Sequence, residues 1–147
     1  MDLDPTDRRI LEALQRQGRI SNQELSDTVN LSPSACHRRV QRLEEEGYIK
    51  GYVALLDPRR MGRLTVVFVE ITLQGQADEV LDAFERAVAR VPEVLECHLM
   101  AGSADYLLKV VAMDTEDFAR IHRKSLATLP GVRGMQSSFA LRTVRQT

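Results

Sequence analysis

Residues 21–49 read "SNQELSDTVNLSPSACHRRVQRLEEEGYI", and this stretch carries two helix starts and one helix stop within thirty positions. Ser21 and Glu24 have the spacing of a capping box, in which hydroxyl and carboxylate satisfy free backbone amides before Leu25 and Val29 supply a buried face. "NLSPS" makes a short turn. Ser32 then caps a second helix with Pro33 at its first position, and Gly47 suits the left-handed residue just past its end. On a 3.6-residue period Cys36, Val40 and Leu43 share an inward stripe, which leaves Ser34, His37, Arg38, Gln41 and Arg42 outward. Two capped helices joined by so few residues have the spacing of a helix-turn-helix.

Working outward, Asp4 is a plausible N-cap for an earlier helix, with Pro5 at the first position, Asp7 in the first turn and Ile10, Leu11 and Leu14 as its apolar stripe, closed by Gly18. Downstream, the aromatic and β-branched residues of "YIKGYVALLD" (48–57) fit a strand or wing. Pro58 and Gly62 punctuate a basic linker. The chain is therefore divided into residues 1–62 and 63–147.

From Leu64 the periodicity changes. "LTVVFVEITL" is a strand apolar on both sides, with Val66 and Phe68 on one face and Val67, Val69 and Ile71 on the other. "ADEVLDAFERAVARV" is an amphipathic helix with Val80, Phe84, Ala87 and Val88 inward. "VLECHLMA", a "GSAD" turn and "YLLKVVA" read as a hairpin. "DTEDFARIHRKSLATL" is a further helix, stopped by Pro130 and Gly131, and "VRGMQSSFALRTV" a last strand. The order β-α-β-β-α-β is that of a ferredoxin-like fold, so the fold class is α+β: a winged helix-turn-helix followed by a ferredoxin-like domain. The right-handed crossover rule puts both helices on one face. The other face, also apolar, would be bare in a monomer, which predicts a dimer with two sheets face to face.

The outward residues of the helix after Pro33 mix two kinds of nucleic-acid partner. Arginine can bond both acceptors of guanine and glutamine the donor and acceptor of adenine, while serines at a helix start can bond phosphate. The expected DNA-contacting set is Ser32, Ser34, His37, Arg38, Arg39, Gln41 and Arg42, and the expected partner double-stranded DNA. Arg38→Ala and Arg42→Ala should each weaken operator binding and leave oligomer size unchanged. The formal charge of -1 is no obstacle. Residues 1–60 balance ten Lys and Arg against ten Asp and Glu, but Leu31 to Leu43 holds three arginines and no acid. Screening limits the reach of charge to about 10 Å, so the local patch decides.

Other classes are less well served. Cys36 and Cys97 lie far apart without CxxC spacing, and the histidine after each diverges from it on a helix or a strand, so neither a disulfide framework nor a metal site has support. No cofactor motif, nucleophile elbow or phosphate loop is present, and His98 and His122 stand alone, so an enzyme is not expected. No apolar run is long enough to span a bilayer, and "MDLDPTDRR" is too acidic and polar for a signal peptide, so the cytoplasm is the expected location. A rival reading is a ferredoxin-like small-molecule-binding or assembly protein whose helical half binds protein rather than DNA.

"GRISNQELSDTVNLSPSACHRRVQRLEEEGYIKGYVALLDPRRMG" (18–62) closely resembles the amino-terminal half of the Lrp/AsnC family of transcription regulators, and "AGSADYLLKV" (101–110) and "LPGV" (129–132) are similar to the sensing, or RAM, domain of that family. The resemblance implies a DNA-binding regulator forming homodimers and then a higher oligomer, often an octamer, with an amino acid or related small molecule as effector between dimers. It implies an effector site built from the loop Gly102, Ser103, Ala104, Asp105 and Tyr106, with Gln136, Ser137 and Ser138 of a later strand from a neighbour. Asp105 could accept from an amino group and amides around the glycine turn could hold a carboxylate. "GSAD" is equally explained as hairpin chemistry.

Overall fold

The computed structural model describes residues 2–62 and 65–147. It forms two compact units, one reaching to Leu55 and including Arg145–Thr147, the other spanning Leu56–Val144. The division falls ahead of the Pro58–Gly62 punctuation, a segment that turns on itself: Met61 N–H donates to the Asp57 carbonyl and Gly62 N–H to that of Arg59. The strand start expected at Leu64 and the boundary residue 63 lie outside the described residues.

The first unit is three helices, α1 (Pro5–Arg16), α2 (Asn22–Val29) and α3 (Pro33–Glu45). The side chain of Asp4 accepts from Asp7 N–H while that of Asp7 accepts from Asp4 N–H, a reciprocal cap with Pro5 behind it. Ser21 caps α2 and Ser32 caps α3 through their hydroxyls. Asn30, in the left-handed conformation with φ 57°, ends α2 and turns the chain tightly into α3. Gly47, with φ 82°, ends α3 as its sequence position suggested. Ile10, Leu25, Val29, Cys36 and Leu43 form the buried core, with Val40 packed against it. The strand or wing expected over 48–57 is not formed: those residues carry no strand pairing within the described residues. An extended segment becomes a strand only when another strand meets its backbone groups.

The second unit contains β1 (Thr65–Leu73), α4 (Asp78–Val88), β2 (Val94–Leu99), β3 (Tyr106–Ala112), α5 (Thr115–Ile121) and β4 (Val132–Ala140). The strands are antiparallel in the order β2-β3-β1-β4, the ferredoxin-like arrangement. Val67, Val69, Ile71 and Leu73 of β1 and Tyr106, Leu108 and Val110 of β3 share one buried face with Phe84 and Val88 of α4 and Phe118 and Ile121 of α5. The alternation of β1 thus sets which side the helices cover. Gly131, with φ 76°, lets the chain turn into β4; a Cβ there would stand 3.1 Å from Val80.

Two expectations need correction here. The helix expected to run unbroken to Leu129 instead passes from α5 into a π-helical turn at His122–Leu126, closed by Ala127 N–H donating to the His122 carbonyl at 2.7 Å. Ile121 and Leu126, five residues apart, are both fully buried. The wider turn brings both to the core, where an α-helix would set them on diverging faces. The uncovered sheet face, expected to be apolar, is mixed: alongside Val66, Phe68 and Leu107 it carries Glu70, Lys109, Gln136 and Ser138 by strand register. Lys109 there pairs with Glu96 at 3.6 Å.

Candidate nucleic-acid interface and effector site

Along α3 the polar residues divide between two directions. Ser34, His37, Arg38 and Gln41 are exposed and follow one another at helical spacing. Arg39 and Arg42, expected to touch DNA, are 31% and 40% exposed and paired with acids: Arg39 bonds Asp4 at 2.6 Å and Asp7 at 3.1 Å, and Arg42 bonds Asp7 at 2.8 Å. The cause is Asp7, whose side chain is only 1% exposed. A carboxylate withdrawn from water needs charge and hydrogen bonds in return, and two guanidinium groups plus the Asp4 amide supply them. The same contacts, led by the Arg39 hydrogen bond, lower the pKa of Asp4 and, led by Asp4, raise that of Arg39. Both guanidinium groups are thus engaged within the helical unit. Helical periodicity marks Asp7 only as a first-turn acid; its recurrence three residues after the Asp4 cap, opposite arginines separated by three on α3, was the available signal.

Ser32 is occupied mainly in structure. Its hydroxyl accepts from Ala35 N–H at 3.2 Å and lies 3.4 Å from the hydroxyl of Ser34. The turn before α3 is further tied by Asn22, whose side-chain amide donates to the Pro33 carbonyl at 2.8 Å. This bond fixes the start of α3 against α2, so the exposed residues are presented from a rigid support. The turn lacks carboxylates; Glu44, Glu45 and Glu46 are confined to the far end of α3.

In the second unit the loop from Met100 to Asp105 is closed at its base by Met100 N–H donating to the Asp105 carbonyl and Asp105 N–H to that of Ile71. Asp105, proposed from sequence to receive an effector amino group, is 9% exposed, and its carboxylate accepts from Leu73 N–H and from the Gln76 amide, each at 2.8 Å. These bonds, the Leu73 amide first, hold its pKa below the ordinary carboxylate value. Tyr106 is likewise committed: its ring lies 4.5 Å from that of Phe84, and its hydroxyl donates to Glu85. Burial, then the Glu85 carboxylate, pushes the phenol pKa up. Both side chains are thus engaged within the sheet unit.

What stays open is the loop tip. A cavity of about 170 Å³ is lined by Glu70, Met100, Ala101, Gly102, Ser103, Ala104 and Leu107. Gln136 pairs with Glu70 in the strand register and Ser138 with Phe68, so both belong to the sheet face on which Glu70 lies. Ser137, paired with Val69, belongs to the opposite, helix-covered face and is separated from them. Sequence reasoning missed Glu70. It is the one acid in the apolar run "TVVFVEITL", and its alternation with Val69 and Ile71 marks it as facing away from the core. On the other side of the loop a cavity of about 370 Å³ adjoins Gln76, Leu81 and Asp105.

A capped helix pair with a tight turn and an exposed polar ridge, joined to a ferredoxin-like unit with a loop cavity, defines a helix-turn-helix transcription regulator with a ligand-binding domain. Comparison with known proteins gives the class its family. The family model described as winged helix-turn-helix DNA-binding matches residues 3–50, and that of the Lrp/AsnC ligand binding domain matches residues 66–147. The leucine-responsive regulatory proteins of Escherichia coli (strain K12) and Salmonella typhimurium are each 45% identical over 146 residues, covering 99% of this chain and 89% of theirs. A transcriptional regulator from Neisseria meningitidis, solved as its L-Met complex, aligns with a TM-score of 0.89 at 38% identity over 99% of this chain and 94% of its own. An AsnC family regulator from Agrobacterium tumefaciens aligns with a TM-score of 0.87 at 36% identity and the same coverage. The chain belongs to the Lrp/AsnC family of transcription regulators and is a DNA-binding protein of that class. No helix among the described residues is long and apolar enough to cross a membrane.

Proposed function

We propose that this regulator reads double-stranded DNA in the major groove with Ser34, His37, Arg38 and Gln41 of α3. Ser32 adds a phosphate contact at the helix start. The observation that carries this reading is the partition of α3: its three arginines share one sequence run, yet among the described residues only Arg38 is free of a carboxylate partner while its neighbours on the ridge are exposed. An outward guanidinium can bond both guanine acceptors and an outward glutamine both adenine groups.

The second unit binds an amino acid or a close relative. Amides and hydroxyl of Gly102, Ser103 and Ala104 receive the carboxylate, and Glu70 takes the amino group in place of Asp105. Gln136 and Ser138, contributed by a neighbouring protomer, complete the site. The L-Met complex of the Neisseria relative supports this ligand class. Homodimers assemble further into an octamer, and the protein acts on the nucleoid in the cytoplasm. An effector alters regulation only by binding one assembly state better than another.

The test is footprinting of genomic DNA by the purified protein, repeated with each of the common amino acids, with sedimentation in parallel. Protected sites at half-site spacing of about one helical turn, shifted by at least one amino acid, are the expected result. Absence of discrete sites removes the DNA reading; sites and mass insensitive to every amino acid remove the effector reading.

A further inference from the structure

Charge is unevenly distributed along the second half of the chain. Between Thr65 and Asp117 eleven Asp and Glu stand against three Lys and Arg, whereas from Phe118 to Thr147 there are six Lys and Arg and no Asp or Glu at all. Five of those six, Arg120, Arg123, Lys124, Arg133 and Arg142, belong to the sheet unit, and all five are exposed. Arg120 is tied to Asp117 at 2.7 Å. Among the described residues none of the other four is in an ion pair. Cations at the end of α5 suit its dipole, but that effect fades within a turn and does not reach Arg133 or Arg142.

These groups lie on or just beyond one edge strand of the sheet and on the helical segment that precedes it. β4 is an edge strand, next to β1 alone. The ring of Phe118 on α5 meets that of Phe139 on β4 at 5.4 Å, and Leu126 and Leu129 share a core with Val132 and Met135 at the start of β4. The α5 segment with its π-helical turn thus meets β4, a strand roughly 30 Å long for its nine residues, near both ends. Arg133 stands near one end of that strand and Arg142 just beyond the other, with Arg123 and Lys124 on the accompanying helix.

A row of exposed, unpaired cations fits an extended polyanion, and a DNA duplex carries about one negative charge per 1.7 Å of axis. The acidic half of a second copy is a weaker match. Five of its eleven carboxylates, Glu85, Glu96, Asp105, Asp114 and Asp117, already accept internal hydrogen bonds or ion pairs. The helical unit, for its part, is short of phosphate partners: its charge balance is even over residues 1–60, and two of the three arginines on α3 neutralise Asp7 and Asp4.

We infer that the α5–β4 edge is a second duplex-binding surface that holds the phosphate backbone irrespective of base sequence. This rests on the reading of the helical unit as DNA-binding. The experiment uses the full-length protein and a random-sequence duplex of about 60 bp, roughly 200 Å long, and measures affinity across a salt series. Replacing all four cations (Arg123→Ser, Lys124→Ser, Arg133→Ser, Arg142→Ser) should flatten the log-log salt slope by about 0.9 for each phosphate no longer neutralised, up to roughly 3.6. Sedimentation and circular dichroism should stay as in the unaltered protein. A second variant with Arg123→Lys, Arg133→Lys and Arg142→Lys should keep the original slope, since phosphate binding needs charge and not the guanidinium fork. An unchanged slope in the serine variant, beside weakened binding by Arg38→Ala, overturns the edge and leaves the α3 reading standing. An unchanged slope with a lower sedimenting mass assigns the edge to a second copy and also overturns it. If the unaltered protein binds no duplex, both fall together.

Discussion

The two units treat their polar motif residues differently. On α3 the division runs along the helix axis: paired Arg39 and Arg42 serve Asp7, and exposed Ser34, His37, Arg38 and Gln41 remain one contiguous ridge. In the sheet unit the division runs through the sheet, so that Tyr106 and Ser137 go to the helix side and Glu70, Gln136 and Ser138 to the other, while Asp105 is held in the loop by Leu73 and Gln76. A helix can lose part of a motif to its core and keep a usable face, because neighbours at three and four residues stay together. A strand sends consecutive residues to opposite faces, so "QSS" cannot line one cleft. The buried charges also differ in partner: Asp7 is met by cations, Asp105 by neutral N–H groups.

The largest effect should come from stripping Asp7 of its cations. Arg39→Ala with Arg42→Ala leaves a buried carboxylate uncompensated, and the helical unit should lose about 3–5 kcal/mol, seen as a lower denaturant midpoint. Stability within about 0.5 kcal/mol of the parent, the range of ordinary surface changes, would erase the contrast between paired and unpaired arginines. Next in size, Tyr106→Phe removes the hydroxyl that bonds Glu85 but keeps the ring on Phe84. Unfolding of the sheet unit should become easier by about 0.5–1.5 kcal/mol.

Acid should separate the sheet unit's buried carboxylate from its surface ones. The pKa of Asp105 is lowered in the fold, so its contribution is fully present above the ordinary carboxylate value of 3.8 and is lost as pH falls through the lower folded value. Thermal melts should show a steeper loss of stability below about pH 4 in the parent than in Asp105→Asn; parallel curves would deny the bond to Leu73 its role. The smallest effect should be on effector affinity. Gln136→Ala should weaken binding by about 0.5–1.5 kcal/mol and Ser137→Ala should leave it unchanged, as calorimetry with the bound amino acid would report. Equal losses would mean that the two residues share a site after all.

Much of this architecture was legible. The caps Asp4, Ser21 and Ser32 with Pro5 and Pro33 located the helices, and the alternation of "TVVFVEITL" oriented the sheet. Three features were not. The roles of Arg39 and Arg42 depended on the burial of Asp7, thirty-two and thirty-five residues away, and no local period reports a tertiary ion pair. The π-helical turn at His122–Leu126 arises from packing, since Ile121 and Leu126 compete for the same core. Asp105 lies in a loop whose composition suits both a ligand and a hairpin, and its bonds come from Leu73 and Gln76, thirty-two and twenty-nine residues away, beyond any local pattern. On α3, periodicity named the exposed face but counted on it Arg42, whose guanidinium bonds Asp7.

The central claim is that α3 divides its arginines between fold and DNA, and one paired measurement reaches it directly. Operator affinity and unfolding midpoint are determined for Arg38→Ala and Arg42→Ala under the same salt. Arg38→Ala should lose about 1–3 kcal/mol of binding with its midpoint unchanged, while Arg42→Ala should show a lowered midpoint and, where still folded, nearly full affinity. The reverse pattern, in which Arg42→Ala is stable yet no longer binds and Arg38→Ala binds normally, would contradict the account.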